Sequence, residues 1–295
     1  MPRRYAMPPM GIPRRLRLSL VAGLPMLALA LGTMAAAPQD GAGKRQPGPA
    51  PRRIVSLNLC ADQYLLALAD RDQIVGLTRN ARDPEMSAAA GRVGSLHVMG
   101  DSTEEVLALD PDLIVGVPAG RADKLAALSG RSYRIVELGP DASYADIVAQ
   151  TRLVAAAVGH AERGEALIRR MDAELANIGK TGGGAVAAYY QRRGYMTGTG
   201  TLVDDLMTRV GLVNLAARLG KPPLSQVSLE EMVAARPDYL IMESATEHVV
   251  DQGTEMLHHP VLGDIRRLYV PQAWTVCGGP AYVRAARSLA GQLRR

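Results

Sequence analysis

Few residues in this chain could carry chemistry. It holds five histidines, two cysteines and one tryptophan. A zinc centre needs several ligands converging on one point. His160 starts a helical segment, His258 and His259 read as a surface helix end, His248 stands apart, and only His97 lies near a candidate loop. No metal site is expected. Cys60 and Cys277 stand outside any Cys-x-x-Cys pair. In an oxidising compartment they could form one bridge. They could also ligate a metal centre or remain free. The leading reading is a pair of inert thiols that merely line a cleft. No P-loop, Gly-x-Ser-x-Gly, His-Glu-x-x-His or multi-cysteine cluster is present. Gly198-Thr199-Gly200 is too short for a phosphate loop. These observations argue for binding rather than catalysis.

The acids offer a stronger signal. Ser102-Thr103-Glu104-Glu105-Val106-Leu107-Ala108-Leu109-Asp110-Pro111-Asp112 recurs as Ser228-Leu229-Glu230-Glu231-Met232-Val233-Ala234-Ala235-Arg236-Pro237-Asp238, offset by 126 residues without a gap. In each copy the Ser is a helix N-cap and the second Glu, three residues on, completes a capping box. The Pro ends the helix. Glu105 and Glu231 thus have a structural task. Glu104 and Glu230 do not. They either favour the helix dipole or face a two-fold partner with basic pockets.

The elements that position these residues alternate. Short apolar runs at Ile54–Leu57, Ile74–Leu77, Leu113–Val117 and Tyr133–Leu138 have the length of buried strands, with helical patterns at Asp62–Ala69 and Ala122–Leu128. That order predicts an α/β fold with parallel sheets. Tyr144, Ile147, Thr151, Val154 and Val158 then recur at helical spacing, Gly159 interrupts, and a second helix runs from His160 to Ile178. Alternation restarts with a strand at Ala185–Tyr190, a helix at Leu202–Val210, a strand at Tyr239–Met242 and a final helix at Tyr282–Leu293. The expected organisation is an N-terminal lobe over 52–141, linker helices over 142–182 and a C-terminal lobe over 183–295.

The chain is formally +5, but the stretch Met1–Ala37 contributes five arginines and no acids. Without it, basic and acidic residues balance, so nucleic-acid binding is not indicated. That stretch runs from basic through apolar to small residues, the order of a secretion signal, and places the mature protein in the periplasm. Residues 38–51 read as a flexible leader.

Ligands bind open parallel sheets beyond the carboxyl ends of the strands. That rule selects Asn58, Leu59 and Cys60, then Arg79 and Asn80, then Tyr189, Tyr190, Gln191 and Tyr195, and finally Trp274, Cys277 and Tyr282. Tyrosine and tryptophan suit a broad, partly polar ligand, whereas Arg79, Arg192 and Arg193 would favour an anionic one.

Arg53-Ile54-Val55-Ser56-Leu57-Asn58, the Glu-Glu-Val-Leu-Ala-Leu-x-Pro-Asp segment, the long middle helix and the region of Trp274 together resemble the class III periplasmic binding proteins. These include the cobalamin, haem and ferric-siderophore binders of ABC importers. The resemblance implies two Rossmann-like lobes joined by a rigid linker helix. It also implies a ligand-contacting Trp274, a monomer without a cofactor, and docking on arginines of a permease dimer. By position the docking acids are Glu104 and Glu230. The rival expectation is a two-lobed α/β enzyme or a ligand-sensing scaffold.

Overall fold

A computed structural model describes residues 49–100, 102–117 and 133–295. The basic leader at 1–37, the stretch that follows it to residue 48 and the helix expected at Ala122–Leu128 lie outside these residues.

Strands β1 (Ile54–Ser56), β2 (Ile74–Gly76), β3 (Leu113–Val117) and β4 (Arg134–Glu137) form a sheet in the order β2-β1-β3-β4. Every pairing in it is parallel. β1 is wholly buried, which is why it reads as an unbroken apolar run. Helix α1 (Leu59–Leu68) starts three residues earlier than its apolar pattern predicts, because Asn58 caps it: Ala61 N donates to Asn58 Oδ1 at 2.8 Å. Helix α2 (Thr103–Ala108) precedes β3.

Two helices follow, α3 (Tyr144–Ala157) and α4 (Ala161–Ala176). The break between them falls at Gly159, whose φ of +88° suits glycine. Beyond them lie β5 (Val186–Tyr190), β6 (Tyr195–Thr197), α5 (Leu202–Arg209), β7 (Val213–Asn214), α6 (Leu215–Arg218), β8 (Leu224–Gln226), α7 (Leu229–Ala235), β9 (Tyr239–Glu243), α8 (Gln252–Glu255), β10 (Arg266–Val270) and α9 (Ala281–Leu293). The second sheet runs β10-β9-β5-β6-β8, with β7 also on β5. β10, β9, β5 and β7 are parallel, while β6 pairs antiparallel with both β5 and β8. This antiparallel edge departs from simple alternation. It arises at a tight reversal where Gln191 N donates to Tyr195 O at 2.7 Å, with Arg193 at φ +59°.

The duplicated segment occupies equivalent places in the two sheets. α2 leads into β3, which pairs with β1; α7 leads into β9, which pairs with β5. Asp110 and Arg236, each immediately before the Pro, both adopt positive φ, 41° and 46°. The Asp after the Pro pins the neighbouring strand in both copies. Asp112 accepts from Arg52 N at 2.7 Å and Arg53 N at 2.9 Å, and Asp238 accepts from Val186 N at 2.7 Å. The capping boxes are only half formed. Ser102 and Ser228 accept from Glu105 N and Glu231 N as expected. The glutamate side chains turn elsewhere: Glu105 to Gly100 N and His97, and Glu231 to Lys221. In both copies a partner outside the capping box takes the glutamate side chain in place of the capping bond.

Pro47–Arg295 is a single compact unit. One apolar cluster runs from Ile54, Leu65 and Val115 through Ile147, Val154 and Met171 to Ala187, Ile241 and Leu289. α3, α4 and α9 therefore share one core with both sheets. A second cluster covers the opposite face of the second sheet. β5 shows the period-2 alternation: Ala187 and Tyr189 enter the first cluster, Val186, Ala188 and Tyr190 the second.

Candidate functional site

Three parallel strands of the second sheet end side by side, and their ends carry Gln191 after β5, Glu243 as the last residue of β9, and Gln272 just after β10. These residues line two adjoining cavities. One, of about 330 Å³, is completed by Thr197, Thr201, Thr275 and the Pro140–Ala142 loop that leads from the first sheet to α3. The other, of about 550 Å³, is completed by Tyr195, Arg192 and, from the first lobe, Glu85. Together they form a trough where the two lobes face each other, at the position that open α/β sheets use for ligands.

The polar groups of the trough are mainly acids, amides and hydroxyls, set among apolar side chains. Glu243 is only 7% exposed. Gln191 Nε2 donates to Glu243 Oε1 at 3.1 Å, and Thr197 Oγ1 donates to Gln191 Oε1 at 3.2 Å. Tyr189 lies on the wall with its hydroxyl 3.2 Å from Thr275 Oγ1. Burial, and then the charge of Glu243, push the Tyr189 phenol well above its ordinary pKa, so it stays a neutral hydroxyl. Arg192 forms an ion pair with Asp251.

Asp141 closes the inner end. Its carboxylate accepts from Tyr64 Oη at 3.1 Å, Gln150 Nε2 at 2.7 Å and Gly278 N at 3.0 Å. Burial raises its pKa. The contact with Gly278 requires glycine there, since a Cβ at that position would lie 2.4 Å from the Asp141 carboxyl.

Next to Gly278, Cys277 is bonded to Cys60. The leading expectation, two free thiols lining a cleft, is therefore corrected. The first turn of α1 and the loop before α9 meet with a Cα–Cα distance of 5.2 Å, within bridging range. Of the other residues selected from the sequence, the structure brings Tyr189, Gln191 and Tyr195 into the trough, Tyr195 being 38% exposed. Asn58 spends its amide on Ala61 N and Gly116 O. Arg79 is exposed in the turn Arg79–Arg82 and lines neither cavity. Tyr190 is buried on the far face of β5, with its hydroxyl donating to Val227 O at 2.9 Å. Tyr282 is buried against Tyr144, with Arg209 and Asp205 on its hydroxyl. Trp274 is half-buried, two residues beyond Gln272. The Arg284 guanidinium lies 5.5 Å from its ring centroid and donates to Ala88 O across the lobes.

Glu243, Gln272, Thr275 and Asp141 were not selected from the sequence. Glu243 directly follows the expected strand Tyr239–Met242, so the strand-end rule could have found it. Gln272 could not be found that way, because β10 reads Arg-Arg-Leu-Tyr-Val, with little apolar signal.

Glu104 and Glu230 are both exposed, one beside each sheet. The Ser102 hydroxyl donates to Glu104 at 2.6 Å and holds its carboxyl below the usual range, helped by its own N–H. For Glu230 its own N–H leads, followed by Ser228. His97 pairs with Glu105, His160 with Asp70 and His258 with Thr246 O. Among the described residues no three His, Cys, Asp or Glu side chains converge as metal ligands, and no helix is long and apolar enough to cross a membrane.

A family model described as periplasmic binding protein matches residues 54–266. The chain belongs to the periplasmic binding protein family. That family comprises extracytoplasmic solute-binding proteins of transport systems, not enzymes. A Halobacterium salinarum cobalamin-binding protein is 24% identical over 197 residues, which is 65% of this chain and 53% of that protein. A Bacillus subtilis protein named as an uncharacterized ABC transporter substrate-binding lipoprotein is 24% identical over 43% of this chain and 41% of its own length. The chain thus spans about half the length of the curated relatives it matches. Among solved structures, the apo periplasmic heme-binding protein RhuT from Roseiflexus sp. RS-1 superposes with a TM-score of 0.62 at 24% identity, over 82% of this chain and 97% of that one. The vitamin B12 binding protein BtuF of Vibrio cholerae gives 0.61 at 19% identity, over 83% and 97%. These likenesses establish the two-lobed fold that the sequence resemblance implied.

Proposed function

We propose that this binding protein captures cobalamin, haem or a ferric siderophore in the inter-lobe trough and delivers it to the permease dimer of an ABC importer. The observation that carries this reading is the pair Glu104 and Glu230. They are exposed, ionised and held at matched positions of a duplicated motif, one beside each sheet. Two equivalent acids on a two-lobed body match a partner with two-fold symmetry and basic pockets. Charge at such a solvated interface mainly orients the encounter and speeds it. The trough supplies the binding site, and the relatives named for cobalamin and heme supply the ligand classes. In this reading the basic leader directs export, the mature chain is a periplasmic monomer, and capture makes and breaks no covalent bond.

The test is a titration of Trp274 fluorescence with cyanocobalamin, haemin and ferric siderophores. At least one should bind with Kd below about 10 μM, equivalent to roughly 7 kcal/mol. Absence of binding across all three classes refutes the proposal.

A further inference from the structure

We infer that Glu243 is a specificity-determining group of the trough, selecting ligands that present carboxamide or ammonium hydrogen-bond donors over ligands that present anionic groups. The inference rests on the capture reading and names what the captured ligand must show to this wall.

Glu243 ends the central parallel strand β9 and is more than nine-tenths buried, yet it belongs to the lining of both cavities. A buried carboxylate is stable only when donors satisfy it. Among the described residues one donor reaches it, the neutral amide of Gln191 at 3.1 Å. The base that shares the larger cavity, Arg192, is paired with Asp251. Glu243 therefore keeps acceptor capacity directed at the space a ligand would fill.

The surroundings reinforce the same preference. Asp141 lines the smaller cavity and Glu85 the larger one. The amides of Gln191 and Gln272 flank Glu243, and a primary carboxamide can both donate to and accept from such groups. A ligand bearing peripheral carboxamides or an ammonium arm meets acceptors here. A ligand carboxylate or catecholate would bring like charge into a partly desolvated site, where repulsion is least screened. Of the two ligand types the sequence left open, this speaks against the anionic siderophore that Arg79, Arg192 and Arg193 would favour.

Equilibrium titrations of the full-length protein and of Glu243→Gln with four probes test this. The probes are cyanocobalamin (peripheral carboxamides), ferrioxamine B (a free ammonium arm), haemin (carboxylates) and ferric enterobactin (an anionic tris-catecholate). The expected result is that a carboxamide or ammonium probe binds at least about 10-fold tighter than either anionic probe, and that Glu243→Gln weakens that binding by about 10-fold. An anionic probe that binds tightest to the unmodified protein overturns the inference and leaves the capture reading standing, as does a Glu243→Gln affinity unchanged from the parent. Failure of all four probes to bind at 10 μM overturns both. The ranking on the unmodified protein needs no variant, so the test survives if Glu243→Gln does not fold.

Discussion

Cys60 and Cys277, 217 residues apart in the chain, are joined by a disulfide that ties the first turn of α1 to the loop ahead of α9. The bond lies beside a polar tie, in which Gly278 N donates to Asp141 at 3.0 Å. Together they fasten the base of the trough, where the two lobes meet. Cys60→Ser with Cys277→Ser should lower the unfolding free energy by about 2–5 kcal/mol, the usual cost of losing a native bridge. Thiol titration should find no reactive thiol in the native protein and two after reduction and denaturation. Two thiols in the native protein would contradict the pairing.

A second prediction concerns pH. Asp62, in the first turn of α1, is fully buried, accepting from Thr78 N at 3.0 Å and from the Thr78 hydroxyl. Burial pushes its pKa up to about 6, although hydrogen bonds from Thr78 and Ser56 oppose the shift. A carboxyl whose pKa is raised on folding binds more protons in the native state between about pH 4 and 6, so its contribution to stability falls as pH rises through that window. Urea unfolding at pH 4 to 7 should show the protein gaining on Asp62→Asn by up to about 3 kcal/mol as the pH falls. Asp141 titrates with the same sign in both proteins and cancels in the difference. A difference that is flat with pH, or that grows as pH rises, would contradict this account.

A third prediction separates packing from binding at Tyr282. Its hydroxyl donates to Asp205 and accepts from Arg209 Nε at 2.9 Å, and its ring stacks on Tyr144 with centroids 5.5 Å apart. Tyr282→Phe keeps the stack and removes the hydrogen bonds to charged groups, which should cost about 1.5–3 kcal/mol in chemical denaturation. A neutral result would mean that water replaces the hydroxyl at no cost.

Strands β1 and β3 of the first sheet were readable because they are buried and appear as unbroken apolar runs, as at Ile54–Ser56. The two middle helices, α3 and α4, were readable from their helical period and from Gly159. β6 and β8 were not, because each has only three residues and their position depends on a turn at Arg193 rather than on apolar pattern. The duplicated motif revealed its N-caps, but its Pro-Asp end hides a role only pairing shows, since Asp112 and Asp238 each hold the start of a neighbouring strand. The site was legible in location rather than in residues. Tyr190 and Gln191 are adjacent, yet the pleat sends Tyr190 into the core while Gln191 lines the trough. The disulfide was open on sequence because closure over so long a separation depends on three-dimensional proximity alone.

The most direct test of capture followed by delivery is the double variant Glu104→Ala with Glu230→Ala, assayed for ligand affinity and for uptake through the cognate importer. Both carboxylates are exposed and away from the trough residues, so affinity should be unchanged while delivery is abolished. Weakened ligand binding with normal delivery would contradict the account.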